Sequence, residues 1–153
     1  MADPIVGIVM GSESDREVMS EAGKVLDRFG ISYEIRVCSA HRHPEKTREY
    51  ARSARDRGLN VIIAGAGMAA HLAGVIAAET DLPVIGVPLA GSALNGLDAL
   101  YSMVQMPAGV PVGTMAIGAA GAKNAAIFAA RVLALSDERV ARRLEQFREE
   151  LAR

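Results

Sequence analysis

The sequence predicts a three-layer αβα domain built on a parallel sheet of about five strands, with an extra helix at the C-terminus. Three observations lead there. Five short β-like runs alternate with segments of helical periodicity. Most of those runs are apolar throughout, as strands covered on both faces are. The regular alternation of strand and helix is that of right-handed βαβ crossovers, which leave few topologies open.

The elements follow in chain order. Ile5 to Met10 is apolar and stops at Gly11, a first buried strand. Ser14 stands three residues before Glu17, the spacing of a capping box, and Val18, Ala22, Val25, Leu26 and Phe29 continue at helical intervals until Gly30. Ile31 to Cys38 alternates apolar and polar residues, which predicts a strand at the sheet edge. A polar helix from Pro44 to Arg57 closes at Gly58, and Val61 to Ala64 is the third strand. The small residues of 65–72 open an Ala-rich helix near 69–79. Pro83 to Pro88 is the fourth strand, Leu97 to Val104 a short helix, Val112 to Gly118 the fifth strand and Ala120 to Leu135 another Ala-rich helix. An edge position for the second strand fits the flavodoxin-like order 2-1-3-4-5.

The last helix, capped by Ser136, carries Val140, Leu144, Phe147 and Leu151 as a narrow apolar stripe. Residues 1–153 read as one domain, with 136–153 expected to pack on a neighbouring subunit. The Ala-rich helices, apolar on nearly all sides, also point to a homo-oligomer.

Composition narrows the function. At 153 residues, half of them apolar, and a net charge of −1, the chain has no basic run for nucleic acid or a membrane surface, so a small ligand is expected. Met1-Ala2-Asp3-Pro4 leads into a strand without the pattern of a leader, which makes a cytoplasmic location the expectation. Cys38 is the one cysteine, so no internal disulfide can form.

The chemistry concentrates at strand ends. Ser39-Ala40-His41-Arg42-His43-Pro44 puts a hydroxyl, an imidazole and a guanidinium on one turn. His41, beside Arg42, reads as a general acid/base, and Arg42 as a bidentate anion ligand. His41, His43 and His71 resemble a zinc set, but Arg42 between two of them would repel the ion, and no metal is expected. Gly11-Ser12-Glu13-Ser14-Asp15 precedes a helix N-terminus suited to a phosphate, where Ser14 and Asp15 also serve as cap and first-turn acid. Gly65 to Leu72 lets a ligand approach the backbone closely. These loops follow strands one, two and three and therefore converge at one end of the sheet.

Gly11-Ser12-x-Ser14-Asp15, Ser39-Ala40-His41-Arg42-x-Pro44, Gly65-Ala66-Gly67-x-Ala69-Ala70-His71-Leu72 and the run Gln105 to Thr114 resemble the class I N5-carboxyaminoimidazole ribonucleotide mutases of purine synthesis. The likeness covers residues 5–135. It implies an octameric, cofactor-free, flavodoxin-like isomerase that moves a carboxylate from the exocyclic nitrogen to C4 of an aminoimidazole ribonucleotide. By motif position, Ser12, Asp15, Ser39 and Arg42 would bind the ribose phosphate of this monophosphate substrate, and His41 would be the acid/base. Gly67, Ala69, His71 and Leu72 would wall a dry pocket for carbon dioxide, with His71 not itself a base. Ala73, Gly91 and Ala119 depart from the family's usual pattern. Two other functions stand beside this one: direct carboxylation of aminoimidazole ribonucleotide, and a non-catalytic flavin- or nucleotide-binding module, against which the lack of Trp counts.

Overall fold

A computed structural model describes residues 2–153; Met1, the first residue of the N-terminus considered above, lies outside them. Five strands, β1 (Val6–Met10), β2 (Tyr33–Val37), β3 (Val61–Gly67), β4 (Val84–Leu89) and β5 (Gly113–Thr114), form one parallel sheet in the order β2-β1-β3-β4-β5. Between and after them run α1 (Arg16–Phe29), α2 (Pro44–Ser53), α3 (Leu72–Ala77), α4 (Leu97–Val104), α5 (Ala119–Leu133) and α6 (Glu138–Leu151). The fold class, the strand order and the edge position of β2 are those expected.

The apolar strands serve two cores. Ile8, Met10 and Ile63 face α1, α5 and α6, whereas Val9, Ile62 and Ala64 face α2, α3 and α4. Alternate residues of β1 and β3 thus enter opposite layers, so neither strand shows a polar period. Gly7 is required by packing: a Cβ there would overlap the Tyr50 hydroxyl, which α2 lays across β1. Small residues do the same for α5, whose Ala122, Ala125, Ala126, Ala129 and Ala130 are buried in the core shared with α1.

Several boundaries differ from expectation, each for a local reason. A 3-10 turn, Glu13–Asp15, precedes α1 and is capped by Ser12, so Ser14 does not cap the helix. β3 runs on to Gly67, pairing with Leu89, so the first three of the eight residues of the expected loop are strand. α3 begins only at Leu72 because tight turns, Ala70 N–H to Met68 O and His71 N–H to Ala69 O, occupy the preceding residues. Past Ser53, α2 gives way to the turns of 54–58, in which Gly58 N–H donates to Arg55 O. β5 is two residues long; beyond Thr114 the chain is tied to β4 by isolated bonds from Met115 to Gly86 and from Gly118 to Pro88.

α6 is capped by Asp137, not Ser136: its carboxylate accepts from the backbone N–H groups of Arg139 and Val140. The stripe expected to need a neighbouring subunit is seated largely on its own domain. Val140 and Leu144 join the core, and Phe147 meets Phe29 edge to face at 5.5 Å between ring centres. An ion pair between Arg28 and Glu150 closes the same contact. Leu151 remains exposed.

Candidate active site

Parallel strands deliver their following loops to one edge of the sheet, and here four of them enclose a cleft of about 620 Å³. The turn after β1 contributes Gly11, Ser12, Ser14 and Asp15; the turn after β2, Ser39, Ala40, His41 and Arg42; the end of β3 and its loop, Ala66 to Ala69, His71 and Leu72; the loop after β4, Ala90 and Gly91. Every site residue expected from the sequence lines this one cleft. Gly11, Ser14, Ala40, Ala66, Met68, Ala90 and Gly91 were not among them. The last two were open to inference, because β4 ends at the same edge as β3.

Ser39 shapes the central turn. Its carbonyl accepts from His43 N–H at 2.9 Å and its hydroxyl oxygen accepts from Arg42 N–H at 3.1 Å. The hydroxyl proton stays available to a ligand, and the closed turn carries His41 and Arg42 outward. Pro44 then starts α2 with His43 at the N-cap position, away from the cleft lining. The Arg42 guanidinium forms no ion pair among the described residues, which leaves its fork of donors for an anion.

Across the cleft, His41 Nε2 lies 2.7 Å from His71 Nδ1, with the rings nearly perpendicular at 89°. One of these nitrogens donates and the other accepts, so the pair holds a proton between them and the tautomers of the two rings are linked. His71 lines the cleft as expected, and this contact adds a partner to it. The sequence grouped the two rings only as members of a zinc-like set with His43; the adjacency of the ends of β2, β1 and β3 brings them together as a pair.

At the first turn, the Ser12 oxygen accepts from both the backbone and the hydroxyl of Ser14, at 3.3 and 3.0 Å, so the Ser12 proton points to no internal acceptor. Burial pushes the Asp15 carboxyl above the usual carboxylate range, the Ser12 backbone working in the opposite direction. The cleft therefore has a polar half, made by the turns after β1 and β2, and a small-residue half, made by Ala66, Gly67, Ala69, Leu72 and Ala90. The described residues contain no group of three His, Cys, Asp or Glu side chains placed to share a metal ion. No helix among them is long and apolar enough to cross a membrane.

Comparison with known proteins adds a family and a chemistry. The family model for AIR carboxylase matches residues 5–153. An N5-carboxyaminoimidazole ribonucleotide mutase of Vibrio vulnificus is 58% identical over 145 residues, covering 95% of this chain and 90% of its own. The enzyme of the same name from Bacillus subtilis is 58% identical over 146 residues at the same coverage. Among solved structures, Treponema denticola PurE superposes with a TM-score of 0.87 at 31% identity, over 97% of this chain and 92% of its own.

Proposed function

Because this chain belongs to the AIR carboxylase family, we propose that its cleft performs the reaction for which its bacterial relatives are named. The protein acts in purine biosynthesis as an isomerase, interconverting N5-carboxyaminoimidazole ribonucleotide and 4-carboxyaminoimidazole ribonucleotide. The observation that carries the mechanism is the His41 and His71 pair, set between an anion-binding turn and a wall of small residues.

Arg42, with the hydroxyls of Ser12 and Ser39, holds the phosphate. Asp15, whose carboxylate would repel a phosphate, accepts from a ribose hydroxyl. His41 then gives its proton to the carboxylated nitrogen. The bond from nitrogen to the carboxylate carbon breaks, its electron pair stays on nitrogen, and carbon dioxide is released beside the ring. C4 attacks that carbon dioxide, and the proton on C4 passes to His41, which is restored for the next turnover. His71 fixes which nitrogen of His41 carries the proton. Gly67, Ala69 and Leu72 keep the space beside the ring small and dry, which favours recapture over hydration.

The working form is a homo-oligomer, an octamer by analogy with the family, and its compartment is the cytoplasm. An exposed apolar stripe on α4 supports the assembly: Leu97, Tyr101 and Val104 recur at helical spacing with little cover. The family's own description, AIR carboxylase, keeps one other reading in view, direct carboxylation of aminoimidazole ribonucleotide. The deciding experiment compares ultraviolet rates of product formation from N5-carboxyaminoimidazole ribonucleotide and from aminoimidazole ribonucleotide with bicarbonate. Faster reaction of the carboxylated substrate is expected. Preference for bicarbonate assigns the carboxylase instead, and silence in both overturns the enzymatic reading.

A further inference from the structure

Met68 is the odd residue of the cleft. It stands where β3 leaves the ladder, directly after Gly67 and before two alanines, and its backbone adopts a left-handed conformation, φ 54°, that favours glycine and is uncommon for a long side chain. Of the larger apolar residues lining the cleft, Leu72 is 2% exposed whereas Met68 is 63% exposed. The backbone around it is fixed, since Met68 O accepts from Ala70 N–H and Ala69 O accepts from His71 N–H, each at 2.8 Å. The side chain itself has no partner in either buried core. Met68 lines the cleft beside Ala66, Gly67 and Ala69, and three residues later His71 meets His41.

We propose that Met68 is the residue that retains the released carbon dioxide, its side chain folding over the small-residue half of the cleft between bond breaking and bond making. This rests on the mutase reading above. A long, unbranched, polarisable side chain adapts its shape to a small apolar molecule and displaces water without demanding a fixed geometry. Between the two steps the carboxylate exists only as free carbon dioxide; if it leaves, the nitrogen has already taken its proton and aminoimidazole ribonucleotide remains. Retention therefore sets the partition between 4-carboxy product and this by-product. A residue that the local backbone does not favour, with no packing partner in the buried core, is accounted for if its side chain works over the cleft.

The test is isotopic. Unlabelled N5-carboxyaminoimidazole ribonucleotide is turned over in buffer equilibrated with ¹³C-carbon dioxide and bicarbonate, and early product is analysed by mass spectrometry for label and for aminoimidazole ribonucleotide. The wild-type enzyme is expected to give mostly unlabelled product. Met68→Gly, which adopts the same φ freely and so keeps the fold, raises label and by-product several-fold. Met68→Leu, which retains an apolar side chain in the unfavoured conformation, stays at the wild-type partition. Label in Met68→Gly equal to wild type, or Met68→Leu leaking as much as Met68→Gly, overturns retention by this side chain. Wild-type protein that makes no 4-carboxy product at all would instead bring down the mutase reading on which the proposal stands.

Discussion

His41 Nε2 sits 2.7 Å from Nδ1 of His71, so a ring carried by the turn after β2 is held by a ring at the threshold of α3. The contact spans the cleft and joins the loops that follow the second and third strands. It links the tautomers of the two rings and gives His41 an orientation set by a neighbour, an arrangement that suits the proton carrier proposed above.

Replacing His41 by Asn keeps a polar side chain of similar reach and removes the proton carrier. Turnover is expected to fall by roughly a hundredfold or more, the range in which a positioned acid/base contributes. Nucleotide binding, followed by calorimetry, should survive, because the proposed phosphate ligands are Arg42, Ser12 and Ser39. A variant with unimpaired turnover would remove His41 from the mechanism.

Loss of the His71 ring has a different signature. His71→Ala leaves the reacting group in place but frees its orientation, so kcat should drop less than in His41→Asn while KM stays near the wild-type value. The pH–rate profile is the decisive reading, since the proton shared between the rings is gone. An unchanged profile would mean that His71 only fills space.

The sheet was legible because its pattern is physical: strands covered on both sides show unbroken apolar runs, and β2, paired on one side only, alternates. The cleft was legible for the same reason, once loops after parallel strands were placed at one edge. Pairings across that edge were not, and His41 with His71 is the example. Ser14 was read as the helix cap because a side chain that caps a short 3-10 turn, as Ser12 does, leaves no helical periodicity to find. The stripe of α6 pointed to a groove, but a stripe carries no information on whose groove it is; Val140 and Leu144 found one in the same chain.

Arg42 should be sensitive even to Lys. A guanidinium meets a phosphate with two parallel donors, whereas an ammonium offers a point charge. Losing a hydrogen bond to a charged group costs about 1.5–3 kcal/mol, which corresponds to a rise in KM of about ten- to a hundredfold. Steady-state kinetics on Arg42→Lys test this, and a KM within error of wild type would place the phosphate elsewhere.

Asp15 couples binding to stability. Burial holds its carboxyl above the usual carboxylate range. A carboxyl with a higher pKa in the folded than in the unfolded chain favours folding while protonated; that contribution is complete below the unfolded pKa and is lost as pH rises through the folded one. At neutral pH the native state therefore carries a half-buried carboxylate at a cost. Asp15→Asn is expected to raise the melting temperature at neutral pH, with the gain shrinking as the pH falls through the carboxylate range, while KM increases. A melting temperature lowered at neutral pH would contradict this balance.

The exposed stripe on α4 offers a contact surface for the proposed assembly. Tyr101 is 62% exposed, with Leu97 and Val104 one helical turn to either side, and Leu94 extends the patch into the loop that begins at Ala90 and Gly91 in the cleft. Apolar side chains arranged this way lose free energy to water unless another surface covers them. Tyr101→Glu places a carboxylate in the middle of the patch, where burial against a partner would leave it unpaired. Light scattering after size exclusion should show the wild type as an oligomer and the variant at lower mass. Turnover is expected to fall with it, since Ala90 and Gly91, in the loop that leads into α4, line the cleft. Wild-type protein eluting as a monomer would mean that this patch serves some purpose other than self-association.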